Sequence, residues 1–329
     1  MILILTNRND PSVDLVIPKL LQRGFEVYRW DPADYPASAR FTSRLTGSSW
    51  RHTLVTPDAE IDSATVGSIW LRRPGEPQAA SSVTDPAYRD FVTRTGQILM
   101  TGWQHTLDAR WFPARAEALR LTQNKLVNLA AAVRVGFTVP QTTVTNDPGE
   151  LAVAWERTDG QFIAKEVELV PYQVNGEDHA FYTTSVTRRH LTSRHRLAHS
   201  PMILQPRIDK AVELRVTVVG DQVFTAAITS GDSRTTRDDV RHQSSLTGYS
   251  AYELPARVAE RCVKLVSSLG LAFGCIDVIL TPDGEYVYLE LNPAGQWAWV
   301  EELTGLPIAA AIADWLAVNE HPTTERARA

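Results

Sequence analysis

Two hairpin patterns in the second half of the chain limit the possible fold more than any other feature. The stretches "VELRVTVVGDQVFTAAITS" (212–230) and "CIDVILTPDGEYVYLELNP" (275–293) each contain two strand-like runs joined by a short turn. Gly220 and Gly284 lie in these turns, where tight hairpins favour glycine. The pattern predicts an antiparallel sheet in this part of the chain.

The first part of the chain shows the order strand, helix, strand instead. "MILILT" (1–6) is a buried-strand run, a helical pattern ends at Gly24, and a second strand is predicted at 25–30. This order opens an α/β unit. Helices are also predicted at 86–107 and within 114–137. The chain therefore reads as an α/β domain followed by α+β lobes.

Composition excludes several classes of function. The 329 residues carry a formal net charge of −5 at a sequence pI of about 5.9, whereas a dedicated nucleic-acid binder is usually basic. No run of about 20 apolar residues is present, so no membrane span is predicted. The first residues also lack the basic segment of a secretion signal. We therefore expect a cytoplasmic protein with no nucleic-acid partner and no membrane partner.

Several common catalytic motifs are missing from the sequence. It has no Walker-type phosphate loop, no Gly-x-Gly-x-x-Gly fingerprint, no His-Glu-x-x-His and no Gly-x-Ser-x-Gly elbow. Its two cysteines, Cys262 and Cys275, lie among apolar residues and are interpreted as reduced core residues. Standard P-loop and dinucleotide sites are therefore not predicted.

Three oxygen-bearing side chains belong to the second predicted hairpin. Glu290 and Asn292 alternate to the same face of "YLELN", and Asp277 lies on the partner strand. Mg²⁺ accepts such oxygen ligands, usually together with substrate phosphates. These residues therefore offer a site for one or two Mg²⁺ ions. The alternative is a strand end with polar residues on its solvent-facing side.

Three basic residues are candidates for phosphate contacts. Lys165 lies among apolar residues in "FIAKEV", where an ammonium group costs free energy unless it meets an anion. Arg215 in "ELRVTVVG" is likewise a charge in a β run, and Lys125 lies in a helical segment. The alternatives are solvated positions for the two lysines and an ion pair with Glu213 for Arg215.

Taken together, these residues resemble the nucleotide site of the ATP-grasp enzymes. The resemblance rests on their order along the chain: Asn124-Lys125, Lys165, "QPRIDKAVELRV" (205–216), Asp277, Glu290 and Asn292. It implies that Lys125 and Lys165 hold the phosphates of ATP. It also implies that Arg215 faces these phosphates or an acyl phosphate.

The same resemblance implies contacts to the rest of the nucleotide and to the metal. Glu213 would bind the ribose. Mg²⁺ and its phosphates would be held by Asp277, Glu290 and Asn292. The adenine would meet a hinge segment, partly through backbone groups, formed by Gln205, Pro206, Arg207 and Ile208.

A closer resemblance covers nearly the whole chain. The stretches "WLRRP" (70–74), "FTVPQTTVTN" (137–146) and "LELNPAGQWAWVEELTGLPIAAAIADWL" resemble the graspetide synthetases, ATP-grasp macrocyclases related to the microviridin ligases. This implies an enzyme that uses ATP and Mg²⁺ on a ribosomal precursor peptide with a leader and an acidic, hydroxyl-rich core. An Asp or Glu side chain would be phosphorylated. A Ser or Thr hydroxyl, or a Lys amine, would then attack it to form an ester or amide crosslink.

The resemblance also implies an ATP-grasp fold with an N-terminal Rossmann-like, pre-ATP-grasp domain. We expect this domain at residues 1–115, a central lobe at 116–200, a C-terminal lobe at 201–318 and a flexible tail at 319–329. ATP would bind between the two lobes. Members of the family often form homodimers, so a second copy of the chain is a candidate partner.

Arginines are the candidates for contacts to the reacting carboxylate. Arg72 and Arg73 adjoin in "WLRRP", and adjacent strand residues point in opposite directions, so we expect only one to reach the site. The alternative is a surface pair. Relatives often carry Asp-Trp-Arg after the strand "AITS", and here the chain has Asp239-Val240-Arg241. Arg241 is therefore a further candidate, and the missing tryptophan leaves the local substrate contact open.

Two segments are candidates for holding the peptide. "VTRRHLTSRHRLAHS" (186–200) is basic within an acidic protein, and is either a contact for a carboxylate-rich core peptide or a solvated face. In relatives the leader docks on the central lobe, so residues 166–185 are the leader candidate. Within that segment we name Glu168, Tyr172 and Asp178.

Two other functions are retained as alternatives. One is an ATP-grasp ligase that adds an amino acid to a small acid or to a protein tail. The other is a peptide-binding module with an inactive nucleotide site. "WLRRP" and "NPAGQWAW" favour a macrocyclase over the first alternative, and the intact set of basic and acidic residues argues against the second.

Overall fold

The N-terminal domain is built on a parallel sheet in the computed structural model, which describes residues 1–168, 172–174, 177–179, 181–230 and 247–318. Its elements are β1 (Ile2–Thr6), α1 (Pro11–Gln22), β2 (Val27–Trp30), β3 (Arg40–Thr46), β4 (Ser49–Val55), β5 (Glu60–Asp62), β6 (Ser68–Arg73), α2 (Pro86–Thr106) and β7 (Arg110–Phe112). The parallel order is β2-β1-β6-β7, and β1 is buried along its whole length. Strands β3, β4 and β5 form a separate antiparallel sheet.

Two helices follow this domain, α3 (Ala116–Gln123) and α4 (Lys125–Arg134). Asn124 caps α4, because its side-chain oxygen accepts a hydrogen bond from the backbone N–H of Leu126 at 2.9 Å. Both helices pack against the C-terminal sheet, although the predicted central lobe begins at residue 116. The lysine at the start of α4 is thereby fixed beside that sheet.

The central lobe is a small α+β unit with its own core. Its elements are β8 (Thr143–Thr145), α5 (Pro148–Thr158), β9 (Phe162–Glu166), β10 (Tyr172–Val174), β11 (Glu177–His179), β12 (Thr184–Ser185), α6 (Arg188–Thr192) and β13 (Met202–Pro206). The main sheet has the order β12-β9-β13-β8, and β10 pairs with β11. Strand β13 belongs to this sheet, so the predicted boundary at residue 201 falls before its last strand. The core consists of Leu151, Phe162, Ala164, Val186, Leu197 and Leu204.

The C-terminal lobe contains the predicted antiparallel sheet. Its elements are β14 (Val212–Val219), β15 (Gln222–Ser230), β16 (Thr247–Ala251), α7 (Ala256–Ser268), β17 (Phe273–Leu280), β18 (Tyr286–Asn292), α8 (Ala298–Thr304) and α9 (Ile308–Ala317). The strand order is β16-β15-β14-β17-β18. Both predicted hairpins are confirmed. Gly220 and Gly284 occupy their turns with φ angles of 60° and 88°, which glycine adopts without strain.

The N-terminal domain and the C-terminal lobe share one hydrophobic core. Helix α1 packs against α9, and the ring of Phe112 lies 5.6 Å from that of Phe273 and 5.0 Å from that of Trp315. Arg110 spans the same junction, because its Nη1 donates to the carbonyls of Trp315 at 3.1 Å and Val318 at 2.8 Å. These two parts are therefore joined by both apolar and polar contacts.

None of the helices in the described part of the chain combines the length and the hydropathy that crossing a bilayer requires. The predicted tail at 319–329 lies outside the described residues.

Candidate active site

The register of the C-terminal sheet brings the predicted metal-binding side chains together. Asp277 on β17 is paired directly opposite Glu290 on β18, and Asn292 lies two residues further along the same face. All three line a cleft of about 800 Å³ between the central and C-terminal lobes. The sequence interpretation of Glu290 and Asn292 as same-face neighbours is therefore confirmed, while their role as ligands stays a prediction.

A β-bulge shifts the alternation of side chains just before Glu290. Asp277 is opposite Glu290 but Val278 is opposite Tyr288, so Leu289 is one residue in excess on β18. As a result Tyr288 is fully buried in the core, whereas Leu289 and Glu290 both line the cleft. The bulge therefore lets Tyr288 and Glu290, two positions apart in the chain, face opposite sides of the sheet.

Two lysines lie close to this acidic edge. Lys165 on β9 is only 7% exposed. Burial lowers its pKa to about 8, against the opposing effects of the Glu290 and Asp277 carboxylates, and the charge of Lys125 lowers it further. The Nζ of Lys125 donates to the carbonyl of Glu166 at 3.1 Å and lies 3.7 Å from Oε2 of Glu290. The cleft thus holds two ammonium groups beside two carboxylates.

Arg215 belongs to the same group of charges. Its Nε lies 3.1 Å from Oδ1 of Asp277, and its guanidinium carbon lies 5.9 Å from the ring centre of Trp299. Burial alone would lower the pKa of Arg215, but nearby negative groups, Asp277 foremost, raise it overall. The ion pair with Glu213 that the sequence left open is not the pairing in the structure. Glu213 accepts from Nζ of Lys210 at 2.8 Å instead.

The predicted adenine segment lines the same cleft. Pro206, Arg207 and Ile208 lie where β13 leaves the central sheet. Gln205 is 2% exposed, and its side-chain amide donates to Oγ1 of Thr142 at 2.8 Å. That side chain is therefore already bonded within the protein, and the contact of this segment with adenine stays a prediction.

The two adjacent arginines of "WLRRP" have different environments. Arg73 is exposed and lines the cleft. Arg72 is 4% exposed, and its guanidinium is bonded to the turn that follows Asn292 instead of pointing into the cleft. The prediction that one of the pair reaches the site agrees with this arrangement. Arg72 does not line the cleft, so the structure shows no direct path from it to a substrate, and its catalytic role stays a prediction.

The remaining predicted residues have mixed outcomes. Glu168 lines the cleft. Arg241 lies outside the described residues, as do the side chains of Tyr172 and Asp178. In the basic segment the side chains of Arg188, Arg189, Arg194 and Arg196 are all exposed.

Several aromatic residues of the cleft were not predicted. Tyr249 and Trp299 line it, and their rings meet edge to face with centres 5.3 Å apart. Phe181 and Tyr182 line it from the central lobe. Trp299 follows the proposed metal strand in "GQWAW", but a tryptophan in an amphipathic helix is more often a core residue. The sequence alone does not show that this side chain lies near Arg215.

The oxygen donors of the cleft suit a hard cation. Among the described residues no group of three or more His, Cys, Asp or Glu side chains could hold a metal ion by itself. Asp277, Glu290 and Asn292 supply two carboxylates and one amide, which is a small set that suits Mg²⁺ bound jointly with phosphates. The buried Lys165 beside them is a cation of the kind that suits an anionic phosphate.

Comparisons with known proteins agree with this geometry. The family model described as "MvdD pre-ATP grasp domain" matches residues 1–118. A Chryseobacterium gregarium RiPP-associated ATP-grasp ligase, solved with ADP and a leader and core peptide, is 26% identical. It has a TM-score of 0.88 over 98% of this chain and 97% of that chain. A search of curated proteins gives no significant match.

Two macrocyclases from Microcystis aeruginosa MRC are also similar. MdnC, solved with the precursor peptide MdnA, is 26% identical with a TM-score of 0.85, over 97% of this chain and 99% of that chain. MdnB is 31% identical with a TM-score of 0.79, over 96% of this chain and 98% of that chain.

The fold and the site define an ATP-grasp ligase, as the sequence predicts. Its N-terminal domain is a pre-ATP-grasp domain. Because the similarity to MdnB extends over both whole chains, the chain belongs to the family of RiPP-associated ATP-grasp ligases that includes these macrocyclases.

Proposed function

We propose that the protein is an ATP-dependent macrocyclase of a ribosomal precursor peptide. It activates an Asp or Glu side chain of the peptide as an acyl phosphate, and joins it to a Ser or Thr hydroxyl or a Lys amine. The observation that carries this proposal is the meeting of Lys125, Lys165, Asp277, Glu290 and Arg73 in one cleft. That combination suits a nucleotide phosphate, a metal and a carboxylate together.

The residues have distinct tasks in this reaction. Asp277, Glu290 and Asn292 hold Mg²⁺, which when bound neutralises negative charge on the phosphates. Lys165 and Lys125 bind the phosphates by charge-assisted hydrogen bonds. A carboxylate is a poor electrophile, so these positive groups favour transfer of the phosphoryl group to it.

The substrate carboxylate lies on the side of the cleft that the N-terminal domain forms. Arg73 is exposed there and carries the planar guanidinium that binds a carboxylate through two hydrogen bonds. Arg215 is held near Asp277 and Trp299, so its charge faces the transferring group. The aromatic rings of Tyr249 and Trp299 limit access of water, which would hydrolyse the acyl phosphate.

The peptide binds on the central lobe beside the cleft. Residues 166–185 form the leader contact, and the exposed basic segment 186–200 attracts the carboxylates of the core peptide. The free, buried thiols of Cys262 and Cys275 suit the reducing cytoplasm, where ATP is also available. Because members of the family often form homodimers, we also propose that this protein is a homodimer in solution.

The test is to look beside the gene for a short reading frame with a Thr/Ser- and Asp/Glu-rich C-terminus, and to co-express that peptide with this protein. Each intramolecular crosslink removes one water from the peptide, so mass spectrometry should show losses of whole water masses. The Glu290→Gln variant should give none. A gain of one amino-acid residue would instead support a ligase that adds free amino acids, and an unchanged mass with that peptide would refute the macrocyclase.

A further inference from the structure

The buried side chain of Arg72 is bonded to the turn that follows the proposed metal-binding strand. Its Nη1 donates to the carbonyl oxygens of Ala294 at 2.7 Å and Gly295 at 3.1 Å. Its Nη2 donates to Oε1 of Gln296 at 3.0 Å and to Oγ of Ser12 at 3.3 Å. One residue of the N-terminal domain therefore holds three consecutive residues of the C-terminal lobe.

A buried carboxylate balances the charge of this arginine. Nε of Arg72 lies 3.3 Å from Oδ2 of Asp10, and both side chains are only 2% exposed. Asp10 is held in turn by the hydroxyl of Thr6 at 3.2 Å and by the backbone N–H of Ser12 at 3.0 Å. A buried ion pair adds little net stability compared with apolar residues of similar volume. Its value here lies in the fixed direction of the guanidinium.

The turn that Arg72 holds also orients Asn292. The side-chain oxygen of Asn292 accepts a hydrogen bond from the backbone N–H of Ala294 at 2.9 Å. Gly295 lies so close to β17 that an added Cβ would be 2.5 Å from Cβ of Cys275. The turn therefore packs against β17 with no room for a side chain at position 295. Ala294 joins the two contacts, because its carbonyl accepts from Arg72 and its N–H donates to Asn292.

We propose that Arg72, together with Asp10, is a positioning residue for the metal site. It fixes the Ala294–Gln296 turn, and through it the carboxamide of Asn292, in the direction of the bound ion. The inference rests on the proposed function, because it takes Asn292 as a metal ligand. It gives the pre-ATP-grasp domain a direct part in building a site whose ligands all lie in another lobe.

Arg110 is a matched control for this role. It also belongs to the N-terminal domain and also donates to two carbonyls of the C-terminal lobe, those of Trp315 and Val318. Its guanidinium lies 4.0 Å from the ring centre of Trp315, and it does not line the cleft. Replacing it loosens the same junction between domains without touching the turn.

The test is ADP binding measured by calorimetry at a series of Mg²⁺ concentrations, with thermal melting of each variant. Arg72→Lys keeps the positive charge but cannot reach all four acceptors. We expect it to raise the Mg²⁺ concentration for half-maximal enhancement of ADP binding about tenfold, as loss of an outer-shell partner does. Asp10→Asn should also raise this Mg²⁺ concentration. Arg110→Met should melt earlier at an unchanged Mg²⁺ requirement.

The outcomes separate this inference from the proposed function. An unchanged Mg²⁺ requirement in folded Arg72→Lys and Asp10→Asn would overturn the inference and leave the function intact. An equal shift in Arg110→Met would also overturn it, because general loosening would explain both. If the ADP affinity of the unaltered protein did not depend on the Mg²⁺ concentration, both the metal assignment and this inference would be refuted. If Arg72→Lys does not fold, Asp10→Asn decides, since asparagine retains the helix cap.

Discussion

The central and C-terminal lobes form the two walls of the cleft, but they are held in place in different ways. The C-terminal wall is a five-stranded sheet that shares its core with the N-terminal domain and is further tied to it by Arg72 and Arg110. The central wall has a separate core of six buried residues within its own lobe. We therefore expect the central lobe to move as a unit against a fixed wall.

The carboxylates and the buried lysine of the cleft lie on different walls, although Arg215 and Lys125 also belong to the fixed wall. The fixed wall carries Asp277 and Glu290, whose separation is set by strand register. The central wall contributes Lys165, a cation in a nearly dry position. A metal-bound polyphosphate would contact groups of both walls, so we expect movement of the central lobe and nucleotide binding to be coupled.

The largest expected effect comes from the fixed wall. Glu290→Gln removes the charge of a proposed metal ligand while keeping its shape, and should lower turnover at least about a hundredfold. The melting temperature should change little, because Glu290 is not a core residue. ADP release with the peptide present measures the first effect, and Glu302→Gln, an exposed carboxylate on α8, is the control. Full activity in Glu290→Gln would remove this residue from the metal site.

On the opposite wall, Lys165→Met should weaken ATP binding but raise the free energy of unfolding. Losing a charge-assisted phosphate contact should weaken ATP binding roughly tenfold to a hundredfold. Burial lowers the pKa of this lysine from 10.5 to about 8, so the nucleotide-free protein should gain up to about 3 kcal/mol in free energy of unfolding. Urea unfolding measures the gain. A loss of stability would mean that the ammonium is well satisfied without nucleotide.

The same lysine predicts a pH dependence without any substitution. Above a pKa of about 8 the folded, nucleotide-free protein releases the Lys165 proton, whereas the unfolded chain keeps it up to about 10.5. The unfolded state then binds more protons, so the free energy of unfolding should rise between these pH values. ATP affinity should fall over the same range, because phosphate binding needs the ammonium. Lys165→Met should lose both trends.

The smallest expected effect concerns the outer surface of the central lobe. Reversing the charge of Arg188 and Arg189 to glutamate should weaken binding of an acidic peptide several-fold at low salt and hardly at all at high salt. Fluorescence anisotropy of a labelled precursor measures this. Arg40→Glu with Arg44→Glu, on an exposed strand of the N-terminal domain, is the control. If the variant and the unaltered protein bound the peptide equally well at low salt, the basic segment would be a solvated face and not a peptide contact.

Local patterns predicted much of the fold and of the fixed wall. The hairpins follow from turn residues and strand periodicity, and the shared face of Glu290 and Asn292 follows from alternation. Lys165 is recognisable in the sequence because a charge among apolar residues costs free energy unless an anion lies nearby. Each of these signals is contained in a few consecutive residues, which is why one sequence reveals them.

Features that depend on distant partners were not predicted. The position of Arg72 depends on Asp10 and on a turn more than two hundred residues away, and "WLRRP" alone does not contain that information. The packing of α3 and α4 on the C-terminal sheet likewise reflects tertiary contacts that cross the predicted boundary. The place of Trp299 in the cleft likewise depends on its contact with Arg215, which is distant in the sequence.

The extra residue at Leu289 has a consequence for how this strand can evolve. If the same residues paired without a bulge, positions 288, 290 and 292 would share one face, so either Tyr288 would leave the core or Glu290 and Asn292 would leave the cleft. If Leu289 itself were deleted, Tyr288 would still pair with Val278 and Glu290 with Asp277, so both side chains would keep their faces. A homologue without the extra residue should therefore have the counterparts of Tyr288 and Glu290 adjacent in sequence.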